Sequence, residues 1–298
     1  MEKLGHLLTA MVTPFDIEGA VDYSQARKLA LSLLDSGSDG VVVSGTTGES
    51  PTLNREEKLR LFDEIKAAVG NRGMVVAGTG SYNTKESQEL TKEAERIGVD
   101  ACLLVVPCYN RPIQQGLLEH FKAVARSTTL PCILYNVPSR TAVNLAASTA
   151  IELSQIDNIV GIKEASSNLG QIAEIIHETK KDFLVYSGND NETLSILALG
   201  GYGVISVASH LVGSQIKDMI EKFLGGEVQE AVGIYQHLLP LMNALFVIPN
   251  PMPVKWVLNY IGFAVGRPRL PLVEPDEKTA SLIQTVLRDY NIDLTIHA

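Results

Sequence analysis

Lys163 is the residue whose surroundings first suggest chemistry. It follows residues 159–162 (IVGI), an uncharged and β-branched run that is typical of a buried strand. Burial disfavours the charged ammonium form of a lysine, and a neutral amine is the form that attacks a carbonyl carbon to make a Schiff base. The pattern therefore indicates a lysine nucleophile for a carbonyl substrate. A lysine that marks the strand end and points into solvent is the alternative.

Further reactive side chains follow other strand-like runs. The turn at 44–50 (SGTTGES) offers backbone N–H groups and two threonine hydroxyls, which suit a small carboxylate. Tyr109 and Tyr135 stand at the ends of neighbouring runs, where they could pass protons or simply pack with the hydroxyl in water. Arg140 has a planar fork that matches a carboxylate, or it forms a surface ion pair. Gly188 would let the backbone approach a ligand closely.

The elements that must position these residues alternate between strand and helix. The strand-like runs are residues 7–12, 40–43, 74–77, 101–106, 132–135, 159–163, 183–186 and 203–207. Eight such units predict a parallel (β/α)8 barrel, a TIM barrel, whose active site lies at the carboxyl ends of the strands. A doubly wound open sheet is the alternative, disfavoured by the number of units. We predict a barrel domain at 1–224 and a C-terminal helical appendage at 225–298.

One predicted helix is especially clear. Asn54 is a good N-cap, Glu57 is its capping-box partner, and Gly70 ends the segment. Between them, four apolar residues at helical spacing predict the buried face: Leu59, Phe62, Ile65 and Val69.

Composition excludes several classes of function. The 298 residues carry a formal charge of 25 − 34 = −9, which argues against nucleic acid and anionic membrane surfaces as partners. No stretch reaches the roughly 20 apolar residues of a membrane span, and the N-terminus does not read as a signal peptide, so we expect a cytoplasmic protein. The three cysteines form no CxxC and the histidines show no paired spacing. We therefore expect free thiols, no metal site and no nucleotide cofactor.

Three motifs together resemble a known family. They are residues 45–49 (GTTGE), 135–141 (YNVPSRT) and 161–164 (GIKE). The chain resembles the pyruvate-dependent class I aldolases and lyases, from residue 13 to residue 256. The resemblance is strongest to the branch that condenses pyruvate with L-aspartate 4-semialdehyde, giving 4-hydroxy-tetrahydrodipicolinate in the first committed step of the diaminopimelate and lysine pathway.

The resemblance implies catalytic roles for four residues. Lys163 would form the Schiff base with the keto carbon of pyruvate. A proton relay would link the imine to solvent through Thr46, Tyr135 and Tyr109. In that family the tyrosine matching Tyr109 reaches into the neighbouring subunit's active site. This implies a tight dimer, with a tetramer of two such dimers as the expected assembly.

It also implies four substrate-binding residues. Thr47 would contact the carboxylate of pyruvate, and backbone groups at Gly188 and Ile205 would shape the pocket. Arg140 would receive the carboxylate of the semialdehyde. The resemblance implies a reaction that needs no metal and no diffusible cofactor.

Some positions depart from the family pattern. Tyr82 and Cys108 replace a usual asparagine and a common tyrosine, and Arg55 and Lys58 stand where histidines are frequent. The added cations would oppose a cationic ligand, so we expect weak or absent feedback by L-lysine. Two other functions remain open: a sister aldolase acting on N-acetylneuraminate or a 2-keto-3-deoxy sugar acid, and a non-enzymatic binding protein for small acids.

Overall fold

Eight parallel strands close into a barrel in this structure, a computed structural model that describes residues 4–295. Around the barrel the strands follow their order in the chain. They are β1 Leu7–Ala10, β2 Gly40–Val43, β3 Met74–Gly78, β4 Ala101–Val105, β5 Cys132–Asn136, β6 Ile159–Glu164, β7 Leu184–Ser187 and β8 Gly203–Ser206. The predicted (β/α)8 barrel is confirmed, and each predicted strand agrees with the observed one to within about two residues at either end.

Burial on both faces explains why these strands are visible in the sequence. Every residue of β1, β2, β5, β7 and β8 is buried. Helices cover the outside of such a barrel and side chains fill its interior, so a strand must be apolar on both faces. The result is a short continuous apolar run, without the alternation of a half-exposed sheet.

Helices connect the strands and continue beyond the last one. They are α1 Tyr23–Asp35, α2 Arg55–Val69, α3 Thr84–Ile97, α4 Gln114–Ala125, α5 Pro138–Thr141, α6 Ala147–Leu153, α7 Leu169–Glu178, α8 Thr193–Ala198, α9 Ser209–Leu224, α10 Val228–Ala244, α11 Met252–Tyr260 and α12 Glu277–Leu287. The predicted C-terminal helical segment thus contains α10 to α12 in its described part. The domain boundary at 224/225 stays a prediction.

Helix α2 begins as the sequence predicts. The Asn54 side chain accepts a hydrogen bond from the Glu57 N–H, and the Glu57 carboxylate accepts one from the Asn54 N–H, both at 2.9 Å. Gly70 caps the other end. The buried face differs in one position from the prediction, because Leu61 is fully buried and Leu59 is half-buried. Leu61 and Ile65 are four residues apart, which places both on the face that packs inward.

The chain divides into two compact units. The first unit runs up to Val75 and resumes at Ser206, and the second unit covers Val76–Ile205. The first unit therefore contains the turn after β2 together with the C-terminal helices. The second unit contains β4 to β7 and the motifs around Tyr135 and Lys163. Within residues 4–295, no helix is long and apolar enough to cross a lipid bilayer.

Candidate active site

Lys163 lies within β6, between two tyrosine-bearing strands. Parallel pairing aligns it with Tyr135 on β5 and Tyr186 on β7. Its side chain is buried, with 5% exposed, and its Nζ lies 4.6 Å from the centroid of the Tyr135 ring. Among residues 4–295, the Lys163 amine makes no hydrogen bond or ion pair. The amine is therefore held beside a phenol and is not committed to a structural contact.

Gly188 leaves the space beside this amine. A Cβ at position 188 would lie 2.7 Å from the Ala165 Cβ, 2.9 Å from the Glu164 carbonyl oxygen and 3.1 Å from the Lys163 Cε. The Gly188 N–H donates to that same carbonyl at 2.6 Å, which draws the end of β7 against β6. Only glycine fits this approach without displacing the lysine or the backbone.

Glu164, the next residue of β6, is fully buried and holds the strand end in place. Its carboxylate accepts hydrogen bonds from the Asn136 amide at 2.7 Å and from the Ser166 hydroxyl. Burial raises the pKa of Glu164, and the hydrogen bonds from Ser166 and Asn136 oppose that shift. Because successive side chains of a strand point to opposite faces, this network fixes the backbone from the face opposite Lys163.

The other predicted residues of the second unit differ in exposure. Tyr135 is 6% exposed and Ile205 on β8 is fully buried. Arg140 lies in the short helix α5 and is exposed. Tyr109 is 91% exposed, so its ring projects from the surface of the protomer. The second unit thus brings Lys163, Tyr135 and Gly188 together, and it leaves Tyr109 outside that cluster.

The remaining two predicted residues lie in the first unit, on the turn after β2. The turn is tight because Ser44 and Glu49 adopt the left-handed conformation, with φ of 57° and 56°. The Glu49 N–H donates to the Thr46 carbonyl at 3.1 Å. Thr46 is half-buried, whereas Thr47 is buried and its hydroxyl contacts the Asn250 amide at 2.9 Å.

Glu49 anchors this turn through a buried ion pair. Its carboxylate contacts the Lys255 Nζ at 2.8 Å, and both side chains are fully buried. The same carboxylate accepts the Arg269 backbone N–H at 2.8 Å. Lys255 also donates to the carbonyl of Thr13 at 3.0 Å. Burial lowers the pKa of Lys255 to about 8, although the adjacent Glu49 carboxylate favours the charged form.

The two buried lysines of the described chain therefore differ in kind. Lys255 has carboxylate and carbonyl acceptors around its amine. Both amines face an aromatic ring, Phe15 at 4.2 Å for Lys255 and Tyr135 at 4.6 Å for Lys163, but the Lys163 amine makes no hydrogen bond within residues 4–295. A lysine tied to acceptors serves the structure, while an uncommitted one can serve as a nucleophile.

Two of the cysteines lie inside the barrel strands. Cys102 and Cys132 are free, buried and paired in register on β4 and β5. Burial raises the pKa of Cys102 to about 12 and also raises that of Cys132, so these thiols are unreactive. No group of three or more His, Cys, Asp or Glu within 4–295 could hold a metal ion.

Comparison with known proteins decides the family. The profile of the dihydrodipicolinate synthetase family matches residues 3–289. The chain belongs to the dihydrodipicolinate synthetase family. The 4-hydroxy-tetrahydrodipicolinate synthase of Dehalococcoides mccartyi strain CBDB1 is 62% identical over 296 residues, which cover 99% of this chain and 100% of the relative.

Solved structures of this family have the same fold. Dihydrodipicolinate synthase DapA-2 of Bacillus anthracis is 46% identical with a TM-score of 0.95, covering 98% of this chain and 100% of that one. The dihydrodipicolinate synthase of Cyanidioschyzon merolae, solved with lysine bound, is 45% identical with a TM-score of 0.95, over 96% and 98% of the two chains.

Sequence reasoning missed two residues that contact the turn after β2. Asn250 and Lys255 lie 203 and 206 residues beyond their partners Thr47 and Glu49, and no local pattern reports so distant a contact. One signal was available for Lys255. It is a charged residue inside residues 252–258 (MPVKWVL), a helical stretch otherwise without charge, and a lysine in such a place is rarely buried without a partner.

Proposed function

We propose that this protein condenses pyruvate with L-aspartate 4-semialdehyde through a Schiff base on Lys163. The product is 4-hydroxy-tetrahydrodipicolinate, in the diaminopimelate and lysine pathway. One observation carries the proposal: the buried amine lies 4.6 Å from the Tyr135 ring and makes no structural hydrogen bond among residues 4–295. The 62% identity to a relative named for this activity supports the choice of substrates.

The proposed chemistry begins at the buried Lys163 amine, which makes no hydrogen bond among residues 4–295. The Lys163 amine attacks the keto carbon of pyruvate, and loss of water leaves a protonated imine. The imine is an electron sink, so a methyl proton of pyruvate is released and an enamine forms. The enamine carbon then attacks the aldehyde carbon of the second substrate; the imine forms again, and the aldehyde oxygen takes up a proton to become the hydroxyl group of the product. The amino group of the second substrate then attacks the imine carbon. This closes the ring and releases the lysine amine.

Tyr135 is the proposed proton donor and acceptor for these steps. Its register with Lys163 puts both side chains on one face of neighbouring strands. A buried phenol beside the imine can protonate the leaving hydroxyl and later accept a proton from the attacking amine. Thr46 and Tyr109 complete the relay in this proposal, on the basis of the family resemblance.

Substrate carboxylates are assigned by the chemistry of the donors. The exposed guanidinium of Arg140 follows β5, the strand that carries Tyr135, and can take the carboxylate of the semialdehyde in a bidentate contact. The pyruvate carboxylate is assigned to Thr47, with Gly188 and Ile205 shaping the pocket, on the basis of the resemblance. The tight space at Gly188 supports its part.

We also propose assembly as a tetramer of two tight dimers. A large aromatic ring that is 91% exposed, as Tyr109 is, favours a surface covered by another subunit. In the family that the chain resembles, the matching tyrosine reaches into the neighbouring subunit's active site, which supports this proposal. Sedimentation velocity at several concentrations measures the assembly directly, and a monomer at all concentrations would contradict it.

A substrate panel tests the function. Purified protein is incubated with pyruvate and L-aspartate 4-semialdehyde, and separately with N-acetylneuraminate or 2-keto-3-deoxygluconate, with Lys163→Ala as the control. We expect ring formation only with the first pair and only by the wild type. Cleavage of a sugar acid without condensation would replace the proposal by the sister aldolase activity.

A further inference from the structure

The hydroxyl of Thr47 has a defined hydrogen-bond direction. The Asn250 amide nitrogen lies 2.9 Å from the Thr47 oxygen, and the two residues are 3% and 5% exposed. An amide NH2 group can only donate, so the threonine oxygen must be the acceptor. The hydroxyl proton is then directed elsewhere. Among residues 4–295, the Thr47 hydroxyl makes no second hydrogen bond.

Such a hydroxyl is prepared to donate to an anion. Accepting one hydrogen bond polarises the O–H group and strengthens the bond that it donates. A carboxylate oxygen is the acceptor that gains most from it. If the amide of Asn250 were absent, the hydroxyl could rotate and would lose this preference.

The chain segment that carries Asn250 also fixes the position of the turn. Lys255, five residues further on, holds the Glu49 carboxylate at 2.8 Å. On its other side the turn is held by the Thr13 hydroxyl, which donates to the Gly48 carbonyl at 2.7 Å. The two residues that follow Thr47 are therefore both held by distant partners, and the hydrogen bond from Asn250 acts on the Thr47 hydroxyl itself.

We propose that Asn250 is a positioning residue for the substrate carboxylate. It donates to the Thr47 oxygen and thereby directs the Thr47 proton toward the carboxylate of pyruvate. This inference rests on the role of Thr47 in the proposed function. Asn250 acts through Thr47 and does not itself touch the reacting atoms.

Steady-state kinetics with pyruvate varied at saturating semialdehyde test this role. Thr47→Val, which has no hydroxyl, should raise KM for pyruvate about tenfold or more, the value of a hydrogen bond to a charged group. Asn250→Ala should raise it about fivefold. Asn250→Asp can only accept, so it should capture the Thr47 proton and raise KM about tenfold. In both Asn250 variants, KM for the semialdehyde should stay within about twofold of the wild type, because its carboxylate is assigned to Arg140.

A double-mutant cycle separates positioning from a general structural effect. In the Thr47→Val background, adding Asn250→Ala or Asn250→Asp should change KM for pyruvate by less than about twofold. If the fold-increase in KM for pyruvate in the double variant equals the product of the two single increases, the proposal is overturned, because Asn250 then acts independently of Thr47. If Asn250→Ala does not fold, the double-mutant cycle is measured with the isosteric variant Asn250→Asp only.

Failure of this inference and failure of the proposed function give different results. A wild type that does not condense the two substrates contradicts the proposed function. An active wild type whose Thr47→Val variant keeps its KM for pyruvate contradicts the role of Thr47, and with it this inference. An active wild type with a sensitive Thr47 and a multiplicative cycle contradicts only the role of Asn250.

Discussion

Replacing Gly188 by alanine would push a methyl group against the proposed nucleophile. The new Cβ would lie 2.7 Å from the Ala165 Cβ and 3.1 Å from the Lys163 Cε. Carbon atoms pack at about 3.5–4.0 Å, so each neighbour must move by several tenths of an ångström. The Ala165 Cβ sits on the backbone and cannot rotate away. The lysine side chain is flexible, and it will therefore take much of the displacement.

The size of the effect follows from packing. Overfilling a well-packed interior costs about 1–3 kcal/mol, which corresponds to a fall in Tm on the order of 2–8 °C for a chain of this length. A shift of the amine by a fraction of an ångström costs more in rate than in stability. Misplacement by about 1 Å lowers the rate of a positioned reaction about 100-fold. We expect a 10- to 100-fold slower formation of the pyruvate adduct.

The assay compares Gly188→Ala with a matched glycine substitution. Gly233 lies within α10, is exposed, and a Cβ there would meet nothing within 4 Å. Gly233→Ala should keep the wild-type trapping rate and gain about 0.5–1 kcal/mol, because alanine restricts the unfolded chain. The rate is measured by quenching with borohydride at timed intervals. A Gly188→Ala variant with wild-type Tm and wild-type rate would refute the placement of Lys163 beside Gly188.

Three further predictions concern a buried ion pair, a buried histidine and the binding of L-lysine. Lys255→Met leaves the Glu49 carboxylate buried without its cation, so urea denaturation should show a loss of about 3–5 kcal/mol; a loss below about 1 kcal/mol would contradict this. Burial lowers the pKa of His210 to about 4 from 6.5, and the folded imidazole is held neutral because its Nε2 accepts the Val12 N–H while its Nδ1 contacts the Val207 carbonyl. The unfolded chain binds the extra proton, so this stability is complete above pH 6.5 and is lost as the pH falls toward 4. Between pH 7 and 5, His210→Gln should lose about 2 kcal/mol less than the wild type; an equal loss would count against the assignment. Calorimetric titration with millimolar L-lysine should give no saturable heat, and tight binding would overturn the expected weak feedback.

The barrel was predictable because strands that are buried on both faces consist of apolar residues. A strand buried on both faces must be a short apolar run, and the eight runs were visible for that reason. Lys163 was visible because a charge interrupts such a run at its carboxyl end, where barrel enzymes place their chemistry. The cap of α2 was visible because Asn54 and Glu57 are only three residues apart.

The features that were missed depend on distant pairing. The bond from Asn250 to Thr47 joins residues 203 apart, and the pair of Lys255 with Glu49 joins residues 206 apart. Local periodicity has no information about such contacts. The prediction that Leu59 belongs to the buried face of α2 was wrong for a local reason. The spacing of apolar residues defines the centre of a helical face only to within about one residue.

The central claim is that Lys163 forms a Schiff base with pyruvate. The most direct test is intact mass after incubation with pyruvate and borohydride, for the wild type and Lys163→Ala side by side, followed by peptide mapping. We predict one pyruvate-sized adduct on each wild-type chain, located at Lys163 and not at Lys255, and none on the variant. No adduct on the wild type, or an equal adduct on both proteins, would contradict the account.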